Sequence, residues 1–168
     1  VIGDRYHLVE LPMGWMVLLR GDGGLKWASL KPTPQEAIED LGSKLDGAED
    51  DPEAFTDVVD RLNRYTAGDT AALDEIELDF AGITPFFSAA WNACRSIPAG
   101  ETRSYAWLAA EAGSPLAMRA AGQSMARNRF SLIIPCHRVI ASDGGLGGYG
   151  GGGLGVKARL LQMELDQR

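Results

Sequence analysis

The chain has little of what metal centres, covalent frameworks and membrane anchors are made from. Its 168 residues include two cysteines, Cys94 and Cys136, and two histidines, His7 and His137. So few cysteines argue against the disulfide scaffolds of small secreted proteins. Before Thr84 the one histidine or cysteine is His7, too little for a tetrahedral zinc site with four protein ligands. No metal and no other cofactor is therefore expected. No apolar run approaches the roughly 20 residues that cross a bilayer, and neither a signal-peptide pattern nor a lipidation motif is visible. The expectation is a soluble monomer in a reducing compartment: the cytoplasm, at the nucleoid in a prokaryote, or the nucleus in a eukaryote. Positive charge is also scarce, with 16 Lys and Arg against 23 Asp and Glu and a net charge of −7. Taken alone, that balance argues against a nucleic-acid partner.

The shortage is local, however. Residues 1–84 hold 7 basic and 18 acidic side chains, a net −11, whereas residues 85–168 hold 9 and 5, a net +4. Between Arg103 and Arg138 lie Arg119, Arg127 and Arg129, with Glu111 as the one acid. A basic face is expected there, on an otherwise acidic chain.

Two domains fit this division, 1–83 and 84–168. In the first, residues 7–11, 16–20 and 25–30 read as strands, and Gly21-Asp22-Gly23-Gly24 turns the last two into a hairpin. Thr33-Pro34-Gln35-Glu36 is a capping box with proline at the first helical position. A second amphipathic helix follows from Pro52, with Phe55, Val58, Val59, Leu62 and Tyr65 at helical spacing. Ile76, Leu78 and Phe80 alternate with acids as a further strand. Nothing in this half has evident chemistry, and its acids read as a solvated surface.

Thr84-Pro85 opens the second half with another cap and a strongly apolar helix containing Phe86, Phe87, Ala90, Trp91 and Cys94. Ser104 can cap a helix over 105–112 that Gly113 stops, and Ser114-Pro115 starts another running toward Arg127. Two short helices across a Gly-Ser turn form a helix-turn-helix pattern. The second presents Arg119-Ala120-Ala121-Gly122-Gln123-Ser124, whose small side chains allow close approach to a groove.

The chemistry centres on Leu132-Ile133-Ile134-Pro135-Cys136-His137-Arg138-Val139-Ile140. The apolar flanks read as short buried strands, broken by Pro135, which fixes its own φ and lacks an amide donor. That leaves the Cys136 thiol at a strand end. Isolated cysteines are more often inert core residues, but positive charge from His137 and Arg138 would raise the thiolate fraction of this one. The glycine-rich segment 144–155 satisfies GxGxxG, yet too little chain follows for a dinucleotide fold. It reads instead as a loop whose backbone lies against a flat ligand.

Pro-Cys-His-Arg-Val resembles the acceptor motif of the O6-alkylguanine-DNA alkyltransferases, and the resemblance extends from about Thr84 to the C-terminus. It implies an α+β fold: a small N-terminal domain of sheet and helices, then a helical, winged-helix-like DNA-binding domain with a helix-turn-helix. It implies irreversible, single-use transfer of an alkyl group from O6-alkylguanine, with O4-alkylthymine a further substrate, to Cys136. The partner would be double-stranded DNA approached from its minor-groove side. By residue-for-residue match, His137, Glu164 and Tyr105 join Cys136 as catalytic residues. Arg119 fills the place of the extruded base, and Ala120, Ala121, Gly122, Gln123, Ser124 and Arg127 meet DNA. Met125, Asn128, Arg138, Val139, Tyr149, Gly150, Gly151 and Lys157 surround the substrate, Asn128 serving as a hinge. Where relatives commonly carry proline after that asparagine, this chain has Arg129-Phe130-Ser131 at the pocket rim.

The resulting mechanism is a thiol version of triad logic: Cys136 attacks, His137 takes its proton through a water, and Glu164 holds the imidazole. The water follows from treating Cys136 and His137 as extended chain, where neighbours point to opposite sides. Two other readings use the same residues, a DNA-binding regulator with a sensing cysteine and a cysteine hydrolase. The first lacks an effector site, and the second leaves the helix pair and the arginines unexplained.

Overall fold

The computed structural model describes residues 3–141, 143–145 and 153–167. Tyr149, Gly150 and Gly151 lie outside them. The chain divides into two compact units, Val1–Asp79 and Phe80–Arg168. Phe80 goes with the second unit because its ring packs there, 5.3 Å from Trp91 and 5.9 Å from Phe130. Among the described residues no helix is long and apolar enough to cross a membrane.

The first unit is a mixed sheet with two helices. Strands β1 (Arg5–Leu11), β2 (Gly14–Gly21) and β3 (Gly24–Lys31) form an antiparallel meander, with a two-residue turn at Asp22-Gly23 as the glycine pattern required. Helix α1 (Pro34–Leu41) begins where expected, with Thr33 Oγ1 accepting from the Glu36 amide at 3.2 Å. Val17 and Leu19 of β2 pack with Ala37 and Leu41 of that helix. Met16 and Leu18, pointing the other way by strand alternation, are also buried, so β2 is covered on both faces. A short strand, β4 (Glu49–Asp50), pairs parallel with β1 and completes the order β3-β2-β1-β4. Two acidic residues offer no alternating pattern to announce it. His7 pairs with Asp50 across this ladder, Nδ1 to Oδ1 at 3.1 Å.

Two expectations for this unit change. The helix expected from Pro52 opens with a 3-10 turn, Pro52–Phe55, before α2 (Thr56–Thr66). The strand expected at Ile76, Leu78 and Phe80 reduces to one parallel bridge, Leu25 to Leu78, held by Leu25 N to Glu77 O (3.1 Å) and Asp79 N to Leu25 O (2.8 Å). Phe80 leaves the ladder to join the other core.

The second unit is helical. Helix α3 (Pro85–Arg95) is capped by Thr84 and buries Ala90, Trp91 and Cys94. Strand β5 (Arg103–Ser104) leads into α4 (Tyr105–Glu111), which Ser104 caps through the Trp107 amide at 3.0 Å. Gly113 then turns the chain at φ +91°, a conformation that costs glycine nothing. Helix α5 spans Met118–Ala126. It begins later than Ser114-Pro115 suggested, because residues 114–117 close a separate turn with Ala117 N on Ser114 O at 2.9 Å. Strand β6 (Val139–Ile140) pairs parallel with β5, Arg103 opposite Val139. Helix α6 (Leu154–Asp166) completes the described unit.

Trp91 organises this core. Its indole Nε1 donates to Ser124 O at 2.8 Å, tying α3 to α5, and its ring meets Phe130 edge-on at 5.9 Å. Phe130 is fully buried, so it is a core residue and not the pocket rim expected of it. Phe130→Ala should destabilise the protein by about 3–5 kcal/mol in urea unfolding followed by tryptophan fluorescence. A loss under about 1 kcal/mol would contradict this placement.

Candidate active site

The segment that presents Cys136 is folded by its neighbours. Asn128, just past α5, accepts from Phe130 N through Oδ1 (2.9 Å) and donates through Nδ2 to Ile134 O (2.9 Å) and Phe130 O (3.4 Å). One amide side chain thus closes the loop between α5 and Cys136. Within the loop Leu132 is held at φ +70° while buried. That conformation is rare for a side chain with a Cβ and costs about 1–3 kcal/mol. The expected strand at Leu132-Ile133-Ile134 is therefore a turn, although its apolar residues are buried as predicted. Cys136, His137 and Arg138 form a 3-10 turn after Pro135, not extended chain, so the alternation argument for a bridging water loses its basis.

All three residues of that turn are buried. His137 Nε2 lies 2.9 Å from Glu164 Oε2. Arg138 grips the same carboxylate with two donors, Nε to Oε1 at 2.9 Å and Nη2 to Oε2 at 2.7 Å, and gives Nη1 to Ile97 O at 2.6 Å. Burial alone would raise the Glu164 pKa, but the hydrogen bonds from His137 and Arg138 outweigh it and hold the carboxyl well below its usual range. Burial lowers the His137 pKa, helped by the charges of Arg138 and Lys157 and opposed by Glu164. The imidazole is then neutral at neutral pH. A neutral ring beside an ionised carboxylate carries its proton on Nε2, leaving Nδ1 as the basic nitrogen.

Burial raises the Cys136 thiol above its ordinary pKa; the Asn128 side chain, the Lys157 charge and backbone amides pull it down without prevailing. The activating charge is therefore Lys157, whereas His137 is neutral and the Arg138 guanidinium is committed to Glu164. Lys157 is buried on α6 with Nζ on Val139 O at 2.9 Å, and burial lowers its own pKa. Cys94 is buried deeper and its thiol is pushed well up, chiefly by burial, which leaves it inert. Tyr105 is half-buried at the start of α4, brought to the site by the β5–β6 ladder. Burial, with the Cys136 and Cys94 thiols, raises its pKa, so its phenol keeps the proton it can donate. At 9% exposure, Cys136 has a narrow opening to a reactant.

Several expected contacts are reassigned. Arg138 was matched to the substrate, but all of its described bonds serve the protein, as a clamp on Glu164. Val139 is buried and holds Lys157 through its carbonyl. On α5 the outer face is Arg119, Gln123 and Arg127, spaced i, i+4, i+8 and exposed, with Ala120 and Gly122 partly so. Ala121 and Ser124 lie inside, Ser124 donating to Ala121 O at 2.7 Å, so these two cannot meet DNA directly. Met125 is buried with them, and any base it touches must already have left the stack. The Ile97 carbonyl was not anticipated; a main-chain acceptor leaves no mark in sequence.

The chain is similar to known proteins along both of its units. A model of the "6-O-methylguanine DNA methyltransferase, DNA binding domain" matches residues 85–165. A methylated-DNA–protein-cysteine methyltransferase of Mycobacterium bovis is 47% identical over 114 residues, 68% of this chain and 67% of that protein. One from Mycolicibacterium paratuberculosis is 38% identical over 160 residues, 95% and 92% of the two chains. A crystal structure of Mycobacterium tuberculosis OGT in complex with DNA is similar at a TM-score of 0.79 and 36% identity, over 97% of this chain and 94% of that one.

The buried network makes stability depend on pH. His137 and Glu164 both have pKa values lowered by folding, so the unfolded chain takes up more protons as pH falls. Stability should be level between the ordinary histidine value of about 6.5 and the thiol range near about 8.5, above which the raised Cys94 and Cys136 values make it fall; below about 6.5 it should decline, and decline further through the carboxylate range near about 4.3. Glu164→Gln, which strands Arg138 in the interior, should cost about 3–5 kcal/mol at pH 7 and flatten the lower limb. Urea unfolding over a pH series checks both; an unchanged lower limb in the variant would exclude Glu164 as its source.

Proposed function

The chain belongs to the methylated-DNA–protein-cysteine methyltransferase family, and on that premise we propose that Cys136 is the alkyl acceptor, used once. The protein is a DNA alkyl-repair methyltransferase. The observation that carries the residue assignment is a barely accessible thiol adjoining a neutral histidine whose Nε2 is held by a buried, Arg-clamped glutamate.

The proposed step is displacement at the alkyl carbon of O6-alkylguanine. The Cys136 thiol loses its proton to His137, at Nδ1, and Glu164 stabilises the imidazolium that results. The Lys157 ammonium favours the thiolate during the reaction. The sulfur–carbon bond forms as the O6–carbon bond breaks, and the electron pair passes into the guanine ring. Tyr105, protonated and half-buried, donates to that ring and so opposes the build-up of charge. The thioether has no leaving group that water can easily displace, which makes the protein its own final acceptor.

A base stacked in duplex DNA cannot reach a thiol this deep, so the lesion must be flipped out at a cost of a few kcal/mol. The outer face of α5 suits that task. Arg119 occupies the vacated space, Gln123 and Arg127 continue the contact, and Gly122 lets the helix lie close in the minor groove. Nothing inside the protein requires that glycine, since an added Cβ would meet no atom within 4 Å. A helical glycine costs about 1 kcal/mol relative to alanine, so its advantage lies outside the fold.

Two expected outcomes test the proposal. Incubation with O6-benzylguanine should add one benzyl group per molecule by intact mass, on Cys136 by peptide mapping. The adduct should vanish in Cys136→Ser and persist in Cys94→Ala; continued turnover without an adduct would support a hydrolase instead. On alkylated duplex, Arg119→Ala and Gly122→Ala should both slow transfer while leaving reaction with the free base near wild type. Gly122→Ala should also raise thermal stability, by up to about 1 kcal/mol. Equal losses on duplex and free base would place these residues in support of the active site and remove them from the DNA contact.

A further inference from the structure

The described residues leave three large apolar side chains exposed, and two of them adjoin the arginine assigned to base extrusion. Leu116 is 100% exposed and Met118 is 47% exposed; the third, Leu165, lies at the far end of α6 at 49%. Leu116 sits in the turn before α5, and Met118 is the first residue of that helix. The fold takes nothing from their size. The turn is closed by the Ala117 amide on Ser114 O at 2.9 Å, and the face of α5 that packs inward consists of Ala121, Ser124 and Met125. Met118 shares a stripe of the helix surface with Gly122, four residues on, and that stripe runs beside the one formed by Arg119, Gln123 and Arg127.

We propose that Leu116 and Met118 form an apolar wedge beside Arg119, which enters the minor groove with it and covers deoxyribose and base surface exposed when the lesion leaves the stack. This rests on the reading of α5 given above. Continuity with the arginine stripe selects DNA as the occupant. A guanidinium can fill the gap left by a flipped base but cannot replace stacking over its whole area, and apolar side chains at a strained base step supply the remainder. The division of labour differs in kind from that of the arginines. Phosphate contacts weaken as salt rises, because binding them releases counterions, whereas apolar coverage depends little on salt.

The test compares the wild-type surface, Leu116→Ser with Met118→Ser, and Arg127→Ala on a duplex holding O6-benzylguanine, with 2-aminopurine as the neighbouring base; binding is read in the Cys136→Ser background, which forms no adduct, and transfer with Cys136 present. Both side chains leave water only in the complex, so the double variant should bind at least about tenfold more weakly. Its slope of log affinity against log salt should match wild type, while Arg127→Ala lowers that slope by about 0.9. Binding by wild type should brighten 2-aminopurine as it unstacks, and the double variant should brighten it less. Reaction of both with free O6-benzylguanine should be equal, which shows the active site intact. Wild-type affinity and brightening in the double variant would overturn the wedge alone. Concentration-dependent self-association of wild type that the double variant lacks, with unchanged DNA binding, would assign the patch to a second copy and also overturn it. Failure of wild type itself to form the Cys136 adduct on this duplex would overturn the underlying reading.

Discussion

The second unit depends on a single buried carboxylate. Removing an ionised Glu164 from water costs several kcal/mol, and attraction repays this only when geometry is good and every lone pair is used. Arg138 meets that condition with two parallel bonds, and its Nη1 donates to the Ile97 carbonyl. The arrangement joins α6, the turn holding Cys136 and the chain after α3. It also sets the chemistry. A carboxylate kept ionised by a permanently charged arginine fixes which nitrogen of His137 carries the proton, and in the proposed mechanism this readies the histidine as a base at neutral pH without its being charged beforehand.

The proposed acceptor, Cys136, is restrained in the resting protein. Burial holds the Cys136 thiol protonated against the pull of Asn128 and Lys157, and little of it reaches solvent. Such a thiol reacts sparingly with small electrophiles that lack the means to enter. This suits a protein that is consumed by each reaction, because an adventitious adduct is as final as a productive one. The Asn128 amide, two residues past α5, pins the Phe130 and Ile134 carbonyls, with Leu132 strained between them.

The two units divide the electrostatic work. Net negative charge on the first half limits indiscriminate association with DNA and other polyanions. The net positive charge falls in the half that contains α5, where exposed arginines share one face with a bare glycine. An electrostatic approach that is brief and local, followed by close apolar contact, fits a repair protein that must sample many undamaged base pairs.

The sequence by itself determined the pieces whose signals are local. Strand alternation, a glycine hairpin, and threonine or serine caps before proline or a helical apolar pattern announced β1 to β3, α1, α3 and α4. Pro-Cys-His-Arg-Val announced the chemistry because its five residues are contiguous. Partners distant in sequence were reached only through family likeness, as with Glu164, expected to hold His137, and Lys157; the Arg138 clamp on that carboxylate and the Lys157 bond to Val139 were not. Arg138 reads as a charge beside a cysteine until the fold brings Glu164 and the Ile97 carbonyl to it. Phe130 reads as a pocket rim until Trp91 and Phe80 enclose it, and Ala121 and Ser124 read as groove contacts until packing turns them inward. The Leu132 segment reads as strand because apolar composition reports burial, while its left-handed turn is imposed by bonds from Asn128. Local rules carry dihedral preference and periodicity; which face of a helix is covered, and which charge neutralises which, is decided when distant segments compete for the same interior.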